Sequence, residues 1–139
     1  MMSTHATGTF KVKNWKEKPY NKIEGGAKLT RATVTQTFRG DIKGEGAVEF
    51  LMAHRADKSA KFVGIQYITG RIGDRSGGFA LQVTGTFEGG VAKGRWTVIP
   101  GLGTDDLTGL RGKGSFEAPM GPDASFVLEY TFATKAKTK

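Results

Sequence analysis

The chain has no cysteine and only two histidines among its 139 residues. The absence of cysteine excludes disulfide bonds, thiolate metal sites and cysteine nucleophiles. With only His5 and His54 available, the common metal sites lack ligands, so we expect neither a metal nor a cofactor. There is no G-x-S-x-G motif, and a Ser/His/Asp triad would depend on His54, because His5 lies close to the start of the chain. The sequence therefore leaves open whether the protein is an enzyme.

Long apolar runs are missing as well. The longest are only a few residues, far shorter than a membrane span. The first ten residues, "MMSTHATGTF", lack the basic and then apolar plan of a signal peptide. We therefore expect a cytoplasmic protein without membrane association.

The net charge of +8 is concentrated outside the central part of the chain. Residues 1–30 hold six Lys and two Glu, and the ending "KAKTK" adds three Lys, whereas residues 31–134 hold twelve basic and eleven acidic side chains. Nucleic-acid binding needs a continuous positive stripe on the folded body, so a nucleic acid is not the expected partner. We expect one β-barrel domain over residues 1–133 and a basic tail over residues 134–139.

Helical periodicity is also absent: no segment of ten or more residues has the apolar spacing of an amphipathic helix. Apolar and polar residues instead alternate over eight to twelve residues, which is typical of strands. The eight predicted strands are His5–Asn14, Leu29–Arg39, Glu45–Arg55, Lys61–Arg71, Gly77–Glu88, Val91–Ile99, Arg111–Ala118 and Ala124–Ala133.

Most connections between these strands are short and contain glycine, which suits antiparallel hairpins. The exception is Trp15–Lys28, "WKEKPYNKIEGGAK", which we interpret as a long basic loop that covers one mouth of the fold. Eight antiparallel strands in hairpin order predict an all-β, lipocalin-like up-and-down barrel. A two-sheet sandwich remains the alternative, because the period alone cannot separate the two.

The alternation predicts which side chains face the barrel interior. On the fourth predicted strand either Tyr67 or Gln66 faces the interior, because the pattern there is ambiguous, and we assign Tyr67 to the interior set. The predicted interior set, a candidate binding site for a small apolar ligand, is Gln36, Phe50, Met52, His54, Tyr67, Phe79, Leu81, Trp96 and Tyr130. Apolar walls with a few polar groups are the usual make-up of a ligand pocket. In the alternative, the core is solid and the polar groups satisfy one another.

Residues 101–116, "GLGTDDLTGLRGKGSF", are rich in glycine but do not have the spacing of a phosphate-binding loop or a dinucleotide motif. Asp105 and Asp106 are adjacent and would point apart in an extended chain, which is poor geometry for a shared metal. Thr104, two acids and Leu107 instead predict a capped single turn that leads into a strand.

Several segments resemble known families. "VIPGLGTDDLTGLRGKGSF" is similar to a segment shared by allene oxide cyclases and dirigent proteins. The segments "ATGTFKVKNWKEKPY", "KLTRATVTQTF", "VEFLMAHR", "FVGIQYITG", "GGFALQVTGTFEGGVAKG" and "GLRGKGSF" resemble the DUF3224 family of bacterial proteins of unknown function. This resemblance covers nearly the whole chain and implies an allene oxide cyclase-like barrel with a central cavity. It implies no activity.

Two functions from different classes follow from the sequence. In the first, the barrel binds a small apolar molecule and acts as a binding protein or as a cofactor-independent cyclase or isomerase. In the second, the barrel is a non-catalytic structural or interaction module with a solid core. A homo-oligomer fits either function, and the outward apolar residues Leu51, Ile99 and Val127 would mark its contact surface.

Overall fold

Eight antiparallel strands close into a barrel in the computed structural model, which describes residues 4–119 and 123–133. The strands are β1 Thr4–Lys22, β2 Lys28–Gly40, β3 Ile42–His54, β4 Ala60–Ile72, β5 Arg75–Glu88, β6 Val91–Val98, β7 Leu110–Ala118 and β8 Ala124–Phe132. Neighbours in the chain pair with each other, and β1 closes the barrel against β8. The predicted up-and-down barrel is confirmed over the sandwich. The predicted tail, residues 134–139, lies outside the described residues.

The strands alternate in direction, so the barrel has two ends with different connections. We call the end at which β1, β3, β5 and β7 begin the closed end, and the end at which they finish the open end. Side chains of the closed half fill the interior. Ile42, Ile68, Ile72 and Phe79 are each at most 2% exposed there.

The connection from β6 to β7 seals the closed end. β6 ends at Val98, opposite Leu81, so the first residues of β5 have no β6 partner. Residues 99–109 cover this edge and contain a short 3-10 turn, Asp105–Leu107, whose Leu107 is fully buried. The predicted turn before a strand is therefore present, and it serves to complete the barrel.

The segment is attached to β5 by main-chain hydrogen bonds. The Ile99 N–H donates to the Ala80 carbonyl at 2.9 Å, and the Thr104 N–H donates to the Gly78 carbonyl at 2.9 Å. The Thr104 hydroxyl accepts from the Gly78 N–H at 2.9 Å, and it makes no capping bond to the turn itself. At Gly77 a Cβ would collide with the Thr104 carbonyl oxygen, so this close approach requires glycine.

An aromatic layer crosses the middle of the barrel. Its members are Phe10, Phe38, Trp96, Phe116 and Phe126, whose ring centroids lie 5.1 to 6.4 Å apart in contacting pairs. These distances are typical of aromatic packing. Trp96 is 1% exposed, and its Nε1 has no hydrogen-bond partner within the described residues.

The predicted loop Trp15–Lys28 is wrong in extent, because β1 continues to Lys22 and only residues 23–27 connect it to β2. Two register irregularities, between Val12 and Asn14 and between Pro19 and Asn21, interrupt the pairing with β2. Each irregularity shifts the alternation of inward and outward side chains by one residue, so the segment does not show the two-residue period of a regular strand. β8 pairs with β1 only as far as Phe10, so Pro19 lies where one edge of β1 is unpaired and its missing N–H is tolerated.

Candidate small-molecule cavity

A cavity of about 310 Å³ lies inside the barrel at the open end, next to the aromatic layer, and is lined by residues of β1 to β7. Five strands each contribute one phenylalanine to its wall: Phe10, Phe50, Phe62, Phe87 and Phe116. Ligand sites in proteins are mostly apolar cavities of roughly 300–1,000 Å³ with a few polar groups that fix orientation. The cavity therefore has the size and wall chemistry of a site for a small apolar molecule.

A larger depression, of about 840 Å³, lies on the outer surface over β4 to β8 and is bordered by Lys61, Lys93 and Arg95. It is shallow and open to water. A small molecule bound there would keep much of its surface hydrated, whereas ligand sites bury most of the ligand. The interior cavity is the better candidate site.

Four side chains form a connected polar group at the mouth of the cavity, which we call the mouth cluster: Trp15, Glu17, Thr30 and His54. The Glu17 carboxylate lies at its centre. It accepts from the Trp15 indole N–H at 2.9 Å, from the Thr30 hydroxyl at 2.6 Å and from His54 Nε2 at 2.7 Å. Within the described residues His54 Nδ1 has no hydrogen-bond partner, so one ring nitrogen is held and the other is free.

The mouth cluster determines the charge of Glu17. Burial by itself raises the pKa of this carboxyl, because desolvation penalises the charged form. Hydrogen bonds from Thr30, Trp15 and His54 act in the opposite direction and prevail, so the pKa of Glu17 lies below its ordinary value of 4.5. Glu17 is therefore ionised at neutral pH, and it holds the His54 ring in a fixed orientation.

Two buried glutamines, Gln36 on β2 and Gln66 on β4, form a second polar group on the cavity wall, next to the aromatic layer. The Gln66 side-chain nitrogen donates to the Gln36 side-chain oxygen. The pair lies over Gly46 of β3, where a Cβ would come within 3.1 Å of the Gln36 oxygen and 3.2 Å of the Gln66 nitrogen. The glycine leaves room for the two amides.

The structure brings four of the nine predicted site residues to the cavity: Gln36, Phe50, Met52 and His54. Tyr67 faces outward and is 40% exposed, so the prediction that it faces the interior is wrong. Gln66, the alternative, is 2% exposed and lines the cavity. β4 has apolar residues on both faces, which is why the alternation did not decide between the two.

The other four predicted residues lie elsewhere. Trp96 is in the aromatic layer, next to the cavity walls Phe10 and Phe116 but not on the cavity surface. Phe79 and Leu81 are fully buried without lining the cavity, and Tyr130 is partly buried and packs against Phe132 at 6.0 Å. Their role in ligand binding stays a prediction.

The predicted interior set lacks Trp15, Glu17, Thr30 and Phe62, although Trp15 begins the segment predicted to cover one mouth. The first two lie beyond the β1 bulge in the segment interpreted as a loop. Once the shift is allowed for, Val12 before the bulge and Trp15 and Glu17 after it all face the cavity. The sequence does contain one signal: Trp15 and Glu17 are two residues apart, as strand residues on one face are. They occupy odd positions, whereas Phe10 and Val12 before the bulge occupy even ones.

The part of the chain that the structure describes contains neither a metal-binding cluster nor a membrane-spanning helix. No three His, Asp or Glu side chains there are arranged to hold a metal ion. Nor does any helix of that part have the length and apolarity to cross a membrane.

The closed antiparallel barrel, with an apolar cavity at one end, places the protein among small all-β barrels. The family profile of DUF3224, a protein family of unknown function, matches residues 6–130, and the chain belongs to this family. A search of curated proteins gave no match.

A solved structure supports the same assignment. The crystal structure of a DUF3224 protein of unknown function from Shewanella oneidensis MR-1 is similar at 28% identity and a TM-score of 0.78. The match covers 95% of this chain and 99% of that protein. The resemblance to allene oxide cyclases stays a prediction.

Proposed function

We propose that the protein binds a small apolar molecule in the cavity at the open end. One observation carries the proposal: the aromatic walls enclose about 310 Å³, and the polar side chains on them are confined to the mouth cluster and the glutamine pair. A solid-core structural module would not need such a space, because empty apolar cavities are costly. An apolar cavity of about 150 Å³ takes up a benzene ring, so the volume here suits a ligand of two fused rings.

The proposal is tested with prodan, a neutral naphthalene fluorophore whose emission shifts to the blue in apolar surroundings. Wild-type protein should bind prodan with one-to-one stoichiometry. Ala92→Phe and Ala118→Phe each add a ring to the cavity lining and should abolish binding. Ala47→Phe adds the same ring on the exposed outer face of β3 and should leave binding unchanged.

Two results would count against ligand binding. One is the absence of a prodan shift in folded wild-type protein. The other is equal binding by wild type and by folded Ala92→Phe and Ala118→Phe variants, which would place the dye outside the cavity. Either result would favour the structural module, in which the barrel interior has no ligand.

The mouth cluster favours a second function, proton transfer to or from a bound ligand. His54 has one nitrogen held by an ionised carboxylate and the other free, an arrangement that orients a general base. Acting on an enolisable ketone, His54 Nδ1 would take the proton next to the carbonyl, and the C–H electron pair would form the enolate double bond. Return of a proton from the imidazolium completes an isomerisation or an exchange, with no other reactant.

This second function predicts accelerated exchange of the α-protons of 2-tetralone, a bicyclic ketone, in heavy water, measured by proton NMR. His54→Gln should remove the acceleration and Glu17→Gln should reduce it. His5→Gln, at an exposed residue of the closed end, is the matched control and should behave as wild type. Rates are compared at saturating ketone. Equal rates for wild type and His54→Gln would exclude proton transfer by this residue.

Self-association stays a prediction. Leu51 is 50% exposed and neighbours Val63 of β4, which is 49% exposed, whereas Ile99 and Val127 are partly buried. Light scattering coupled to size-exclusion chromatography, on wild type and on Leu51→Lys, measures whether this outer face joins copies of the chain. The cytoplasmic location is likewise a prediction.

A further inference from the structure

The glutamine pair is a fixed structure on the cavity wall. Gln36 lies opposite Gly46 in the pairing of β2 with β3, and Gln66 lies opposite Val48 in the pairing of β3 with β4. Both side chains are at most 5% exposed, and each holds the other by one hydrogen bond. Three strands thus position two amide groups in an otherwise aromatic wall.

The mutual bond leaves two polar atoms unused. Gln66 donates and Gln36 accepts, so the Gln36 amide nitrogen and the Gln66 amide oxygen remain without a partner within the described residues. Among the described residues, Trp96 Nε1 is the one unpaired side-chain atom that is fully enclosed. The two glutamine atoms are therefore accessible from the cavity that their side chains line. Reversing the two amides together exchanges the roles and again leaves one donor and one acceptor. The cavity therefore presents one donor and one acceptor side by side.

We propose that the Gln36–Gln66 pair binds the head group of the ligand, and that this head group is an uncharged carboxamide or lactam. The inference rests on the proposed function, ligand binding in the cavity. A carboxamide oxygen would accept from the Gln36 nitrogen while its N–H donates to the Gln66 oxygen, closing a ring of three amides. The two unused atoms of the glutamine pair would then both be hydrogen-bonded, as buried polar groups in proteins usually are.

Other head groups fit the pair less well. A carboxylate on the pair would bring a buried charge without a counter-ion. No lysine or arginine in the described residues lines the cavity, and His54 is already hydrogen-bonded to the anionic Glu17. A hydrocarbon end would leave the free donor and acceptor unpaired beneath the ligand. A site built to form hydrogen bonds discriminates strongly against a ligand that lacks them. The pair therefore selects for a neutral group that both donates and accepts.

Three ligands of one shape test the proposal by displacement of prodan: 2-naphthamide, 2-naphthoate and 2-methylnaphthalene. At pH 8 the wild type should bind 2-naphthamide at least about tenfold more tightly than either of the others. Gln66→Met keeps the side-chain length and removes the amide, so 2-naphthamide affinity should fall to that of 2-methylnaphthalene. Gln82→Met, at an exposed glutamine on the outer face of β5, should keep the wild-type preference.

The wild-type series needs no variant, so the proposal can be tested even if Gln66→Met does not fold, and Gln36→Met is a second variant. Equal affinities for the amide and the hydrocarbon, or tighter binding of 2-naphthoate, would overturn the proposed head group and leave cavity binding standing. An unchanged amide preference in folded Gln66→Met and Gln36→Met would do the same. Failure of prodan itself to bind would instead overturn the proposed function.

Discussion

The two ends of the barrel differ in how their strands are built and in what the interior contains. At the closed end the register is regular and apolar side chains fill the interior. The segment 99–109 completes the sheet there by bonding to Ala80 and Gly78. At the open end β1 is bulged, runs past its partner β8 and carries Glu17 into a cavity. The closed end is tightly packed, and the open end has the features of a binding site.

This difference teaches how a barrel separates its two tasks. A bulge adds one residue to a strand and re-aims the side chains beyond it, which is why bulges are frequent near functional sites. In β1 the bulge turns Trp15 and Glu17 toward the cavity, where Thr30 and His54 meet them. The irregularity is confined to the open half, and the register of the packed closed half stays regular.

The difference in packing between the two ends is tested most directly by removing one phenylalanine side chain from each. Phe79→Ala leaves a new hole in the packed half and should lower the free energy of unfolding by about 3–5 kcal/mol. Phe50→Ala widens a cavity that already exists, so fewer contacts are lost and we expect about 1–2 kcal/mol. Urea unfolding measures both. Equal losses would show that the open half is packed as tightly as the closed half.

The seal of the closed end is tested within its own loop. Leu107 is fully buried and Leu102 is 48% exposed, although the two lie five residues apart. Leu107→Ala should cost about 2–4 kcal/mol of unfolding free energy, whereas Leu102→Ala should change it by less than about 0.5 kcal/mol. Hydrogen exchange of the Ile99 and Thr104 amides should accelerate in Leu107→Ala alone. Similar effects of the two substitutions would mean that the loop does not seal the barrel.

The open end should show its charge in the pH dependence of stability. A carboxyl with a lowered pKa in the folded state stabilises the fold above its unfolded value, and this contribution is lost as pH falls through the folded value. For Glu17 the loss should begin near its ordinary value of 4.5 and continue below it. Glu17→Gln should therefore be less stable than wild type at pH 7, by about 1 kcal/mol.

The difference between wild type and Glu17→Gln should shrink as the pH falls below 4.5, because the wild-type carboxyl is then protonated too. Glu88→Gln, at an exposed residue of the same end, is the control and should follow the wild type throughout. Thermal unfolding between pH 2 and 8 gives the comparison. A difference that is constant with pH would show that Glu17 acts through packing and not through its charge.

The same contrast explains how far the sequence could be interpreted. Leu81 and Val83 alternate with the exposed polar residues Gln82 and Thr84, so their burial could be predicted. The closed barrel could be predicted as well, from eight such segments joined by short connections. The inward orientation of Glu17 could not be predicted, because it depends on a bulge that is seen only in the pairing of β1 with β2.

For Gln66 and Tyr67 the sequence alone did not suffice either. β4 has apolar residues at both parities, so the pattern allowed either residue to face inward. The closeness of Gln36 and Gln66 is a property of the closed sheet, which brings β2 and β4 to either side of Gly46. Pair contacts between strands, unlike burial, leave little trace in a single sequence.

The smallest effect is expected at the aromatic layer between the two ends. Trp96→Phe removes the unpaired Nε1–H together with some packing, and the two changes should nearly cancel, within about 1 kcal/mol. The variant also leaves Trp15, at the cavity mouth, as the only tryptophan of the chain. Its fluorescence should change when tetralin, a colourless two-ring hydrocarbon, is added. In the matched variant Trp15→Phe the remaining Trp96 lies behind the cavity wall and should respond less. An equal response from both variants would remove the distinction between the layer and the mouth.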